Sequence, residues 1–213
     1  MSSIERFKNV LVLAPHTDDG ELGAGGTISK LTRGGVNVYY AAFSTAEESV
    51  PKGLPKDILK TEVKAATKVL GIDEKNLRIY NYKVRKLSYV RQDILEDLVA
   101  LKKELDPDLV LMPSLNDIHQ DHTTVAKEGV RAFKDRTVLG YELIWNNLSF
   151  NTTSFVKLGE IDVQRKFEAL QNYKSQSHRR YVSKEFVYAL ATTRGVQIGT
   201  EYAEAFEVIR WVL

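Results

Sequence analysis

Only four histidines occur in this 213-residue chain, His16, His119, His122 and His178, and three of them fall in two short polar segments crowded with acids. One segment runs Pro15-His16-Thr17-Asp18-Asp19-Gly20-Glu21; the other runs Asn116-Asp117-Ile118-His119-Gln120-Asp121-His122. Two imidazoles and one carboxylate are a common ligand set for a catalytic Zn²⁺, with a fourth position left to water. An ion held that way lowers the pKa of its water to about 7 and polarises a carbonyl. A carboxylate left over beside it can serve as general base. A leftover histidine can stabilise a developing oxyanion by hydrogen bonding. Either segment alone is equally readable as a solvated loop or a helix cap. Together they predict a hydrolytic metal centre.

The elements around these segments must bring them together. Val10-Leu11-Val12-Leu13-Ala14 is a continuous apolar run stopped by Pro15, and Leu109-Val110-Leu111-Met112 is another stopped by Pro113. Both read as strands buried on two faces, and each polar segment follows one of them directly. Further strands are expected over 36–43, 77–82, 137–141 and 205–212, with an edge strand over 153–158. Helical spacing of apolar residues predicts helices over 26–33, 56–70, 89–105, 161–173 and 183–193. Strands alternating with helices predict an α/β, Rossmann-like fold, a mostly parallel sheet flanked by helices on both faces, formed as one domain over 1–213. In such a sheet ligands bind beyond the carboxyl ends of the strands, where both segments sit.

Composition narrows the function classes. With 43% hydrophobic and 27% charged residues, the chain fits one soluble core of the size usual below roughly 250 residues. Lys and Arg total 30 against 28 acids, with the signs interleaved, so no nucleic-acid partner is expected. There is no cysteine, which excludes disulfides, a thiolate nucleophile and Cys-based metal sites. The polar start Met-Ser-Ser-Ile-Glu-Arg-Phe-Lys predicts no signal peptide, and no apolar run reaches the roughly 18 residues of a membrane span. A cytoplasmic protein is the expectation, and homo-oligomerisation is left open.

The run Ala14-Pro15-His16-Thr17-Asp18-Asp19-Gly20-Glu21-Leu22-Gly23-Ala24-Gly25-Gly26-Thr27 resembles the signature of the PIG-L/LmbE-like zinc N-deacetylases, a His-Pro-Asp-Asp-Glu core followed by a Gly-rich helix entry. His119-Gln120-Asp121-His122 resembles the second motif of that family, His-x-Asp-His, and Gly199 to Phe206 is similar to a weaker third one. The resemblance implies metal ligands at His16, Asp19 and His122, a catalytic base at Asp18, and assistance to the tetrahedral intermediate from His119, oriented by Asp121. It also implies the reaction: a Zn²⁺-dependent hydrolase removing an acyl group, acetyl in particular, from an N-acylated amino sugar or sugar conjugate. The chain departs from the motif at Thr17, where the family has proline, and at Gly20, where it has an acid. Neither position is an implied ligand.

Remaining features are weighed against plainer roles. Gly23-x-Gly25-Gly26 lacks the full dinucleotide-binding spacing and predicts close helix-to-strand packing instead. Glu21 is expected to bond nearby loop amides. Arg85, in the basic stretch Lys83 to Lys86, together with Arg91 and His178, are candidates for the substrate cleft, with an anionic group such as phosphate as their partner; solvated surface positions are the plainer alternative. Two rival functions remain, a metal-dependent phosphoesterase, since His/Asp sites serve both chemistries, and a non-catalytic α/β binding domain.

Overall fold

The computed structural model describes residues 3–212; Met1, Ser2 and Leu213, the ends of the expected domain, lie outside the described residues. Seven strands form one sheet: β1 (Asn9–His16), β2 (Asn37–Ser44), β3 (Leu77–Ile79), β4 (Leu109–Pro113), β5 (Thr137–Tyr141), β6 (Ser154–Leu158) and β7 (Tyr202–Arg210). Their spatial order is β3-β2-β1-β4-β5-β7-β6. The first five in that order pair parallel, while β7 runs antiparallel to both its neighbours. This is the expected α/β architecture. The order reverses direction between β1 and β4, and the crevice at such a switch point is where an open α/β sheet takes its ligand.

Among the described residues six α-helices cover the sheet: α1 (Asp19–Arg33), α2 (Ile58–Val69), α3 (Arg91–Leu105), α4 (Gln120–Ala132), α5 (Glu160–Leu170) and α6 (Lys184–Val196). Strand alternation divides the interior in two. Val10, Val12 and Ala14 of β1 join one core with α1, α2, α5 and α6, and Leu11 and Leu13 join the other with α3 and α4. A strand buried on both faces must be apolar throughout, which is why β1 and β4 read as unbroken runs.

Several elements differ from expectation; α2, α5 and α6 shift by one to three residues, and the larger differences are these. Helix α1 starts at Asp19 rather than at 26, and a kink at Ala24 (φ −141°) divides it. Its glycines allow the close approach foreseen for them: a Cβ on Gly23 would lie 2.2 Å from the Tyr141 ring. Helix α4 was not foreseen, because its buried face carries His122, Thr124, Ala126, Glu128 and Gly129, too few large apolar side chains to show a period. Strand β3 stops at Ile79 rather than at 82, although Tyr80 and Tyr82 still donate their N–H groups to the carbonyls of Ala42 and Phe43. Strand β7 is shifted to 202–210. Among the described residues no helix is long and apolar enough to cross a membrane.

Candidate active site

His16 ends β1, Asp18 and Asp19 open α1, and His119 and His122 lie at the start of α4 beyond β4. Because β1 and β4 are neighbours in register, with Val12 opposite Leu111, both polar segments leave the sheet at the same edge. The structure therefore brings together five of the residues expected to act.

Three atoms form a nearly equilateral triangle. His16 Nδ1 lies 3.1 Å from His122 Nε2, and Asp19 Oδ2 lies 3.2 Å from each. A tetrahedral ion with bonds of about 2.0–2.1 Å needs ligand atoms about 3.3–3.4 Å apart, so these edges suit one such ion. His122 Nδ1 faces Asp117 Oδ2 at 2.7 Å and His16 Nε2 faces Asp121 Oδ2 at 3.0 Å, so each outer nitrogen has an acceptor for its proton and an ion that displaces the inner protons would meet two lone pairs. Burial opposes charge on both rings, yet Asp19, with Asp121 beside His16 and Asp117 beside His122, pushes His16 up to about 9 and His122 up to about 10. Burial also works against ionising Asp19, but the two imidazoles hold its carboxyl well below the usual range. The donor set demands positive charge at its centre. His119 also brings a ring nitrogen within 4.8 Å of nitrogens on His16 and His122. A His16–His119–His122 group is therefore a second way to hold one ion, sharing two corners with the His16–Asp19–His122 triangle.

His119 is the N-cap of α4. Its Nδ1 accepts the Asp121 N–H at 3.2 Å, so the ring proton sits on Nε2. Burial and the two neighbouring histidines lower its pKa and keep it neutral. Here the expected role of Asp121 changes: its carboxylate takes His16 Nε2 and the N–H groups of Arg85 (2.6 Å) and Leu87 (3.2 Å), and only its backbone serves His119. Asp117, quoted within the second segment but given no role, is the partner of His122 and also accepts the His119 N–H. Its position two residues before His119 was the available signal.

Asp18 occupies the N-cap of α1, yet its side chain makes no capping bond and pairs with no other side chain among the described residues. Burial and the neighbouring Asp19 charge raise its pKa to about 6. Beneath it, Tyr40 and Tyr173 donate toward the Thr17 carbonyl at 2.9 and 2.7 Å and also touch the Glu21 carboxyl. Glu21 thus meets two hydroxyls as well as a backbone amide, its own. Two hydroxyl protons cannot fill four oxygen–oxygen contacts, and burial pushes Glu21 up to about 8, so it stands as a neutral acid. Gly20 explains the departure from the motif: a Cβ there would meet the Tyr40 ring at 2.5 Å.

These groups floor an open cavity of about 540 Å³. Arg85 lines it, as expected; Arg91 does not, being paired with Glu128 on α4 at 3.2 Å, and His178 does not, standing exposed on the 171–183 loop. Its neighbour Arg179 reaches the cavity instead, as does Trp145, stacked on Tyr181 at 4.1 Å between ring centres. Arg179 lies in the polar, basic turn 175–180 with His178, whereas nothing in its local sequence marks Trp145.

Comparison with known proteins fits this geometry. The chain is 31% identical over 140 residues to the "Probable N-acetyl-alpha-D-glucosaminyl L-malate deacetylase 2" of Bacillus cereus, a match covering 59% of this chain and 60% of that protein, less than two thirds of its length. Its fold is similar to that of an N,N'-diacetylchitobiose deacetylase from Pyrococcus horikoshii, with TM-score 0.81, 23% identity and coverage of 97% and 85%. It is also similar to a 4-carboxy-2-hydroxymuconate hydratase from Pseudomonas putida, with TM-score 0.76, 18% identity and coverage of 97% and 98%. The fold alone therefore does not decide the chemistry. Residues 11–133, more than half of the chain and including both His/Asp segments, match the family described as PIG-L, GlcNAc-PI de-N-acetylase, and the chain belongs to that family.

Proposed function

We propose that the protein is a zinc-dependent N-deacetylase that hydrolyses the acetamide of an N-acetylated amino sugar or sugar conjugate. The observation that carries this reading is the His16–Asp19–His122 triangle with an uncapped Asp18 beside it. Zinc, when bound, supplies a water of lowered pKa and polarises a carbonyl. Asp18 accepts the proton of the attacking water and returns it to the leaving amine. His119 Nε2–H donates to the carbonyl oxygen as it becomes an oxyanion. Asp117 and Asp121 orient the ligand rings. The stacked Trp145 gives the polar cavity one flat apolar wall, which suits the C–H face of a sugar ring.

The test is metal analysis of the purified protein with an acetate-release assay over a panel of N-acetylamino sugars. About one zinc per chain and acetate from at least one sugar are expected. A zinc-loaded protein that frees phosphate from phosphoesters and no acetate from the panel would replace the reading. Phosphoesterases of the two-metal kind hold their ions about 3.5–4 Å apart. Among the described residues one triangle is present.

A further inference from the structure

Arg85 occupies an expensive conformation. Its φ of 64° lies in the left-handed region, where glycine sits without strain and an L side chain does not. What holds it there is its own N–H, which donates at 2.6 Å to Asp121 Oδ2, the oxygen that also receives His16 Nε2. A glycine would make the same backbone bond with less strain, so the backbone does not account for arginine here. The side chain lines the cavity, and its guanidinium touches only a neutral partner, Ser49 Oγ at 3.0 Å.

Six of the twelve arginines, Arg33, Arg78, Arg91, Arg131, Arg136 and Arg194, each meet a carboxylate within 4.0 Å. Among the described residues no such pair is formed by Arg85 or by Arg179, the other guanidinium lining the cavity, although Glu48 stands on the same wall. Two guanidiniums without an ion-pair partner thus stand on the cavity wall above the His16–Asp19–His122 floor. They draw a ligand anion to their side of the cavity, which orients the molecule that carries it.

We propose that Arg85, with Arg179, binds an anionic group, carboxylate or phosphate, carried by the substrate outside its reacting acetamide, and so determines which conjugates the site accepts. The proposal rests on the deacetylase reading for its reaction, but not for its binding.

Three probes test it: methyl N-acetylglucosaminide, N-acetylglucosamine 1-phosphate and the carboxymethyl glycoside of N-acetylglucosamine. On zinc-loaded protein, at least one anionic probe is expected to exceed the methyl glycoside in kcat/KM by about tenfold, the scale of one charge-assisted hydrogen bond at a solvent-exposed site, mainly through KM. The anion that wins names the source. Arg85→Gly should bring the ratio to about one while holding Tm or raising it by up to about 3 °C, as relief of left-handed strain predicts. Arg85→Lys should restore part of the ratio, because it returns the charge without the fork. A merely structural role would lower all three probes alike.

Binding is read separately on metal-free protein. The chain has two tryptophans, Trp145 at the cavity and Trp211 packed against Phe7, so Trp145 fluorescence is followed in a Trp211→Phe background. Tighter binding of an anionic probe that Arg85→Gly abolishes supports the proposal whether or not acetate is released. Equal binding and equal kcat/KM for all three probes, or a ratio that survives in Arg85→Gly, overturns it; acetate release with no preference leaves the deacetylase reading intact.

Discussion

Two buried clusters of charge lie along α1, and they are built differently. At the kink, Glu204 accepts the N–H groups of Gly26 (3.0 Å) and Thr27 (2.7 Å), and Lys166 Nζ meets it at 2.7 Å. One carboxylate, two donors freed by the kink at Ala24 and one ammonium complete one another within the chain. At the N-terminus of the same helix, three buried carboxylates, Asp19, Asp117 and Asp121, surround two imidazoles that have already spent their outer protons on Asp117 and Asp121. Even with both rings protonated, two positive charges face three carboxylates, a deficit of one. Buried charge costs several kcal/mol per ion unless compensated; the first cluster is closed within the chain, whereas the second keeps a negative excess that suits a dication in place of the inner protons. Burial of acids does not mark a site; a deficit of counter-charge does.

The contrast can be broken at its strongest point first. His122→Ala removes one corner of the triangle, and we expect zinc and acetate release to disappear together while far-UV circular dichroism stays native; full zinc occupancy in that variant would refute the ligand assignment. Asp18→Asn removes no corner of the triangle, since the Asp18 side chain forms no ion pair or capping bond among the described residues. It should keep zinc near one per chain while kcat falls by about 10²–10⁴, the usual worth of a general base. His119→Ala should also keep zinc and lose about 10²–10³ in kcat, the cost of one oxyanion donor, with KM moving much less; zinc loss on dialysis would instead make His119 a ligand.

Weaker changes sharpen the contrast. Asp117→Asn keeps a hydrogen-bond acceptor for His122 but gives up a charge, and zinc affinity, measured by competition with a chelator, should fall about 10–100-fold. An unchanged affinity would show that the outer carboxylates do not set the deficit. Glu204→Gln leaves Lys166 buried without its counter-charge. It should cost about 3 kcal/mol in denaturant unfolding yet leave zinc content and kcat close to those of the parent. Loss of zinc in this variant would mean that the two clusters are coupled through α1.

Much of this was readable before folding. The unbroken apolar runs of β1 and β4 announce strands buried on both faces, and the polar segments behind them announce what those strands carry. The start of α1 was not readable, because Asp19-Gly20-Glu21 has the composition of a loop and is held helical by tertiary contacts such as Tyr40 on the Gly20 N–H. Helix α4 stayed hidden for a related reason, since its buried face mixes Val125, Ala126 and Ala132 with Asp121, His122, Thr124 and Glu128. Roles that depend on partners were the hardest to read. Asp121 stands beside His119 and His122 in the chain, but its carboxylate goes to His16, 105 residues away.

By itself, the order of residues determined which side chains were available for chemistry and which strand end each would leave, because side-chain type is covalent and strand burial follows from local hydrophobic pattern. Only the tertiary structure decided which of them meet. The pairing of β1 with β4 sets His16 and His122 nitrogens 3.1 Å apart, and the loops after β3, β5 and α5 deliver Arg85, Trp145 and Arg179 to one cavity. Such contacts are set by strand order and by close packing across the whole sheet, which no local stretch of sequence encodes.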